Sequence, residues 1–180
     1  MILEPFKPFL ACEFQVKFAT QPWERAGARA LRRAVFCEEQ GLFQEDDTDA
    51  VDTYAIPIVA LSMLAVATDR VVGTVRIHEE TDGVWWGSRL AVAADYRKVG
   101  ALGASLIRLA VCSAHARGCR RFLARVQEQN VLLFRRLHWR TIEEIELLGR
   151  RHHLMTADLD HYHPFENAEQ GFRALARKAA

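Results

Sequence analysis

The sequence has no surplus of charge of either sign: 24 Lys and Arg stand against 23 Asp and Glu, a net of +1. That balance argues against bulk nucleic-acid binding and a polybasic membrane face, so neither nucleic acid nor membrane is an expected partner. Long apolar runs are missing too. The longest, residues 55–67, spans 13 residues and is broken by Pro57 and Ser62, whereas a membrane-crossing helix needs about 20. The opening stretch MILEPFKPFLACEF has Glu4, Pro5 and Pro8 where an export signal needs an apolar centre. The expected compartment is therefore the cytoplasm. Cysteine is scarce. Cys12, Cys37, Cys112 and Cys119 form no CxxC pair, which argues against a disulfide framework. None lies near His152, His153, His161 or His163 to complete a zinc site, and no metal is expected. Repeats, low-complexity tracts and linkers are absent. With 180 residues, half of them hydrophobic, the chain reads as one domain, 1–180, with a real core.

What is present is a sequence of short periodic segments. Phe14, Val16 and Phe18 alternate, predicting an edge strand. Thr20 or Gln21 caps a helix with Pro22 in its first turn. Trp23, Ala26, Ala30, Leu31, Ala34 and Val35 would form its apolar face, with Arg25, Arg29, Arg32 and Arg33 solvated. That helix should fade near Glu39, before Gly41. An acidic loop follows, with Glu45, Asp46, Asp47, Asp49 and Asp52. It lacks the spacing of an EF-hand and reads as a polar loop or an attractor of cations. Residues 62–68 and 71–79 predict a hairpin turning at Asp69-Arg70, and 84–92 the next strand. A helix opening at Gly103 buries Leu106, Ile107, Ala110, Val111 and Ala114 and stops at Gly118. Strands at 122–126, 141–145 and 153–159 surround a short helix after Asn130, and the tail predicts a helix over 168–178. Hairpins first, then one strand–helix–strand crossover, define an α+β layout with a mixed sheet.

The most informative stretch is RLAVAADYRKVGALGASLIRLAVCSAHAR, residues 89–117. An apolar strand runs into a basic, glycine-containing loop and then a helix N-terminus. Free amides and the positive end of the helix dipole make such a place a phosphate cradle. A dinucleotide site would need G-x-G-x-x-G and an acid about 20 residues on. Here only Gly100 and Gly103 are spaced at all suitably, and Arg120, Arg121 and Phe122 stand where the acid belongs. An acyl-CoA pyrophosphate fits better.

Residues 89–104 resemble the core motif of the GNAT acetyltransferase superfamily: an apolar strand, a Tyr-Arg pair, then R/Q-x-x-G-x-G/A. Arg97-Lys98-Val99-Gly100 matches its first four positions, while Leu102 stands at the Gly/Ala position and Gly103 comes one residue late. Three further segments are similar to that superfamily in the same order: Phe36 to Asp52, Val72-Gly73-Thr74-Val75-Arg76, and Gln129-Asn130 with Phe134, Leu137 and Trp139. The nearest likeness is to a group associated with nitrilase gene clusters, and a weaker one is to acyl-homoserine-lactone synthases, suggested by GSRLAV and the acidic loop.

The resemblance implies a GNAT-type three-layer fold, α+β, with a mixed and mostly antiparallel central sheet flanked by helices. It implies acetyl-CoA, or another acyl-CoA, as cosubstrate and a small-molecule amine as acceptor. Leu90, Ala91 and Val92 would bind the pantetheine arm through their backbone. Arg97, Lys98, Val99, Gly100, Leu102, Gly103 and Ala104 would hold the pyrophosphate, and Asn130 would contact the arm. Glu79 and Glu80 are the candidate general bases. Phe134 occupies the position where many members have the tyrosine that protonates the leaving thiolate. The alternatives are a non-catalytic acyl-CoA-binding protein of the same fold and an acyltransferase resembling the homoserine-lactone synthases. Exposed sheet edges suggest a homodimer.

Overall fold

Alternation at Phe14, Val16 and Phe18 buries all three side chains in one layer of the core and makes Glu13–Phe18 the first strand, β1. Strand β1 is not an edge. It pairs antiparallel with β2 (Ile56–Leu64) on one side and with β8 (Phe172–Leu175) on the other. The computed structural model describes residues 10–97 and 101–176. Within them β3 (Ala67–Thr81), β4 (Val84–Val92), β5 (Arg121–Gln127), β6 (Trp139–Leu147) and β7 (Arg150–Ala157) complete an eight-stranded sheet in the order β6-β7-β5-β4-β3-β2-β1-β8. Only β4 and β5 run parallel; every other neighbouring pair is antiparallel. The expected α+β fold with a mixed, mostly antiparallel sheet is the one observed.

The crossover between β4 and β5 is helix α2 (Leu102–His115), which lays Leu106, Ile107, Ala110, Val111 and Ala114 on the sheet, as its periodicity predicts. On the sheet, the alternate residues Trp85, Phe122, Ala124 and Val126 meet it in the same core. A short helix α3 (Val131–Arg136) adds Val131 and Phe134.

Helix α1 (Pro22–Arg33) continues as a π-helical segment, Ala34–Glu39, and ends before Gly41 as expected. Its buried face differs from the one that apolarity suggests. Glu24, Ala28, Leu31 and Arg32 are buried, whereas Trp23 is 43% exposed and Ala26 and Ala30 are exposed. Charge pairing overrides the apolar pattern here. Glu24 accepts hydrogen bonds from Lys17 Nζ at 2.7 Å and from the amides of Thr20 and Gln21. Burial opposes its charge, yet these donors hold its carboxyl below the usual range.

Two further expectations are corrected. The β2–β3 hairpin turns at Ala65 (φ 56°) and Val66, not at Asp69-Arg70, because Ser62 Oγ accepts from the Arg70 amide and draws that dipeptide into β3. Phe172–Leu175 is strand rather than helix, and residues 177 and 178 of the expected helix lie outside the described residues. The strand's backbone pairs with β1 from Glu13 to Val16, and Gly171 (φ 67°) turns the chain into that register. A Cβ at Gly171 would lie 1.8 Å from the Val16 carbonyl oxygen, in a conformation that L-residues also disfavour. Gly171→Ala should therefore lower the unfolding free energy by about 2 kcal/mol or more, with loss of hydrogen-exchange protection beginning in β8.

Candidate active site

Strand β4 leaves its parallel neighbour halfway along. It pairs with β5 only from Val84 to Gly87, against Arg121 to Ala124. Beyond Gly87 it pairs with β3 alone, through a register shift at which Arg89 adopts φ 56°. An extra residue bends a strand and increases its twist. Strand β5 meanwhile follows β7 through Gln127. A wedge opens between the two strands, and the backbone of Leu90, Ala91 and Val92 borders it without a β5 partner.

Two cavities meet in the wedge. A cleft of about 510 Å³ lies toward the N-terminus of α2. Leu90, Ala91, Val92, Arg97, Leu102, Gly103, Ala104 and Asn130, all singled out from the sequence, line it together. Lys98, Val99 and Gly100 lie outside the described residues. The helix ladder begins with Ser105 N donating to Ala101 O, so the amides of Leu102, Gly103 and Ala104 have no acceptor within the helix. A Cβ at Gly103 would meet only Leu133, at 3.7 Å. Asn130 precedes α3 without capping it, which leaves its amide side chain to the cavities. Arg97 is engaged by a carboxylate that sequence reasoning missed: Glu39 accepts from both of its terminal nitrogens, at 2.6 and 2.7 Å. The pair pulls the Glu39 carboxyl below its usual range and raises the Arg97 guanidinium.

The second cavity, about 390 Å³, shares Gln40, Leu90, Gln127 and Asn130 with the first. Gln127 Nε2 donates to Gln40 Oε1 at 3.0 Å across the junction. One wall is apolar and reaches the core at Ile107, Ala110, Phe122, Phe134 and Trp139. The other carries alternate residues of β3, Arg76, His78 and Glu80, with Trp86 beside them on β4. The two candidate bases separate here. Glu80 lines the cavity and accepts from Trp86 Nε1 at 2.8 Å. Glu79 is not among the lining residues, and its carboxylate accepts from the Gly83 amide at 2.8 Å. His78, immediately before them in sequence, lines the cavity and its buried Nδ1 has no hydrogen-bond partner. Burial, and then the nearby Arg76 charge, hold the imidazole below its usual pKa. The period of two through Arg76, His78 and Glu80 was the signal in the sequence that would have found it.

The acidic loop is free only in part: Glu45 and Asp46 are exposed and make no ion pair among the described residues, whereas Asp47, Asp49 and Asp52 are committed to arginines. These three bind arginines from three elements. Arg32 reaches Asp47 at 2.8 Å and Asp52 at 2.5 Å. Arg76 grips Asp49 with two bonds of 2.7 Å and also meets Asp52 at 2.7 Å. Arg89 meets Asp47 at 2.9 Å and Asp49 at 3.2 Å. Three cations and three anions fasten the loop to α1, β3 and the β4 bulge. The Arg76 bonds lower the Asp49 carboxyl. Burial alone would raise Asp52, but Arg32 and Arg76 hold it well below the usual range.

The model of the acetyltransferase (GNAT) family matches residues 21–139. The chain belongs to that family. Among solved structures it is similar to a Lactobacillus plantarum protein assigned as an N-acetyltransferase, with 24% identity, TM-score 0.71, and coverage of 80% of this chain and 97% of that one. It is also similar to Escherichia coli ElaA (19%, TM-score 0.66, 82% and 99%). A third is BjaI, a CoA-dependent acyl-homoserine lactone synthase solved with SAM and isopentyl-CoA (18%, TM-score 0.58, 72% and 73%). At these identities the likeness is one of fold. No curated protein matches the sequence. Among the described residues no helix is long and apolar enough to cross a membrane.

Arg32→Met takes one of two arginine partners from the buried Asp47 and the partly buried Asp52 and should cost about 3 kcal/mol in chemical denaturation, while Asp49→Asn, at a more exposed carboxylate, should cost less. Asp49 and Asp52 have folded pKa values below their unfolded ones. Over that window the unfolded chain binds more protons, so stability rises with pH. The contribution is complete above the usual aspartate range and disappears as pH falls through the depressed values. Asp52→Asn should flatten this acid limb in a denaturation series.

Proposed function

We propose that the protein is an acyltransferase that moves an acyl group, acetyl being the simplest, from acyl-CoA to the amine of a small molecule by direct attack on the thioester. The meeting of the two cavities at the parting of β4 and β5 is the observation that carries this reading. One cavity has the free amides suited to a pyrophosphate, with the Arg97–Glu39 pair at its rim. The other has ionisable groups suited to an amine. They join at Gln40, Leu90, Gln127 and Asn130, where a thioester would have to lie.

In this reading the amides of Leu102, Gly103 and Ala104 bind the pyrophosphate, together with Lys98, Val99 and Gly100 and with Arg97 at the rim. The backbone of Leu90 to Val92 and the side chain of Asn130 bind the pantetheine arm. An amine of pKa about 10.4 costs about 4.6 kcal/mol to deprotonate at pH 7, so a base on the acceptor side is valuable. His78 is neutral at that pH and lines the acceptor cavity, and Glu80 stands beside it. The amine lone pair attacks the thioester carbonyl, the C–S bond breaks, and an amide and a thiolate result. The ammonium gives one proton to His78 before attack, the nitrogen loses its second as the amide forms, and the thiolate takes one from solvent, so one proton is released overall. Phe134 offers none, but a thiol of pKa about 8.5 leaves tolerably well without help.

The apolar wall favours a second reading of the donor. Ile107, Ala110, Phe122, Phe134 and Trp139 continue the cavity well past the room a methyl group needs, which suits an acyl chain of several carbons. The structure of BjaI was solved with isopentyl-CoA, a CoA bearing a five-carbon chain.

Gly103→Glu places a carboxylate among the pyrophosphate amides with little change in packing. Calorimetry should show CoA affinity reduced at least about tenfold with Tm preserved. If the protein binds CoA yet releases no thiol with any amine, it is a non-catalytic binder. For the base, log kcat/KM should climb with pH at a slope near 1 from the amine and steepen toward 2 below the depressed His78 pKa. His78→Gln should remove the steeper limb and lower kcat about 100-fold or more.

A further inference from the structure

The charges around the acceptor cavity are not evenly compensated. Arg76 and Arg89 line it, but both are committed to Asp47, Asp49 and Asp52. Arg125 lines it too, and among the described residues it makes no ion pair. Its guanidinium lies over the Trp86 ring, 4.7 Å from the centroid. Glu80 is its counterpart, with a carboxylate that accepts from the Trp86 indole N–H and likewise pairs with no cation. One unpaired cation and one unpaired anion thus flank a single indole, which keeps them from neutralising each other.

Strand register fixes their order. His78 of β3 is paired with Trp86 of β4, and Trp86 lies opposite Leu123 of β5. Glu80 is two residues from His78, and Arg125 two from Leu123, so alternation places both on the Trp86 face. Across the wall the sequence is carboxylate, neutral imidazole, indole, guanidinium. Such a wall repels neither end of a dipolar molecule and binds both.

Resting on the acyltransferase reading, we infer that the acceptor is an α-amino acid or a close amino-carboxylate analogue, with its carboxylate held by Arg125, its ammonium end toward Glu80 and His78, and its side chain against Trp86. Arg125 is a specificity-determining residue in this arrangement. A planar guanidinium offers a carboxylate two parallel hydrogen bonds, and stacking on an indole leaves its edge free to make them. Glu80 attracts the ammonium form, His78 takes its proton, and the free amine attacks the thioester. The products are an N-acyl amino acid and the CoA thiol: two protons leave the ammonium nitrogen, one arrives at sulfur, and one is released to solvent through His78.

The test uses the full chain, acetyl-CoA and hexanoyl-CoA as donors, and three acceptors on one skeleton: leucine, leucinamide and 3-methylbutylamine. Thiol release and the mass of the product are followed. Leucine should exceed both uncharged-end analogues in kcat/KM by roughly 10- to 100-fold, the worth of one charge-assisted carboxylate contact. Arg125→Gln should collapse that ratio toward 1, chiefly through KM for leucine, and Arg125→Lys should restore part of it. Equal or better use of 3-methylbutylamine, or a ratio that Arg125→Gln leaves intact, overturns the assignment while the acyltransferase reading stands. If none of the three is acylated, leucine binding to the CoA-loaded protein is measured by calorimetry. No binding, or binding indifferent to Arg125→Gln, also overturns it. Loss of CoA binding itself, by contrast, removes the acyltransferase reading.

Discussion

Everything at the candidate site depends on one interruption of backbone pairing. Strands β4 and β5 are joined over only four residues and then diverge. Mid-sheet strands do not part without cause, because backbone groups left without partners cost free energy wherever water is scarce. Two features sustain the break here. The positive-φ residue Arg89 turns β4 out of register, and β7 supplies β5 with a continuous antiparallel partner through Gln127. Each strand has its ladder on the outer side, and the inner side of each faces the wedge. A ligand bearing amides along its length, as the pantetheine arm does, is what such a pair of half-satisfied edges suits.

The bulge would be a weak point without the Arg–Asp cluster. A non-glycine residue at positive φ carries strain, and Arg89 is held there by Asp47 and Asp49. Those aspartates are held in turn by Arg32 and Arg76. Each of the six members has two partners, so removing one weakens the hold on both of its neighbours and the cluster behaves as a unit. It also fixes the acidic loop along the second cavity, where Asp49 and Val51 form part of the lining. Through this one set of ion pairs, the shape of the cavity and the parting of the strands are mechanically the same feature.

This explains which parts of the protein were legible in its sequence. Strand alternation, the crossover helix and its glycine stop are local signals, and so is the run from Leu90 to Ala104; those described residues do line one cleft. Long-range charge pairing carries no local signal. Arg32 looks solvated in any helical projection until Asp47 and Asp52 arrive from 15 and 20 residues away. The tail misled for a related reason. Phe172 to Leu175 is short enough for helix or strand, and only the open side of β1 decides it. His78 directly precedes the two acids that drew attention as bases, and its separation from Glu79 depends on a strand face that composition does not reveal.

Phe134 follows from the same architecture. Its ring meets Trp139 edge-on at 5.0 Å, in the apolar wall of the cavity. A hydroxyl at this position would need a partner, and the neighbours Ile107, Ala110 and Phe122 provide no side-chain acceptor. Tyr162 is close in the fold but is no substitute. It takes the Trp139 N–H and donates to the Leu137 carbonyl, and burial pushes its pKa up to about 12. A wall built for hydrocarbon and a proton donor at the leaving sulfur are competing uses of one place, and this chain has the wall. In the acyltransferase reading that choice shifts the chemical burden onto the acceptor side, where deprotonating the amine is the larger barrier and where His78 and Glu80 stand.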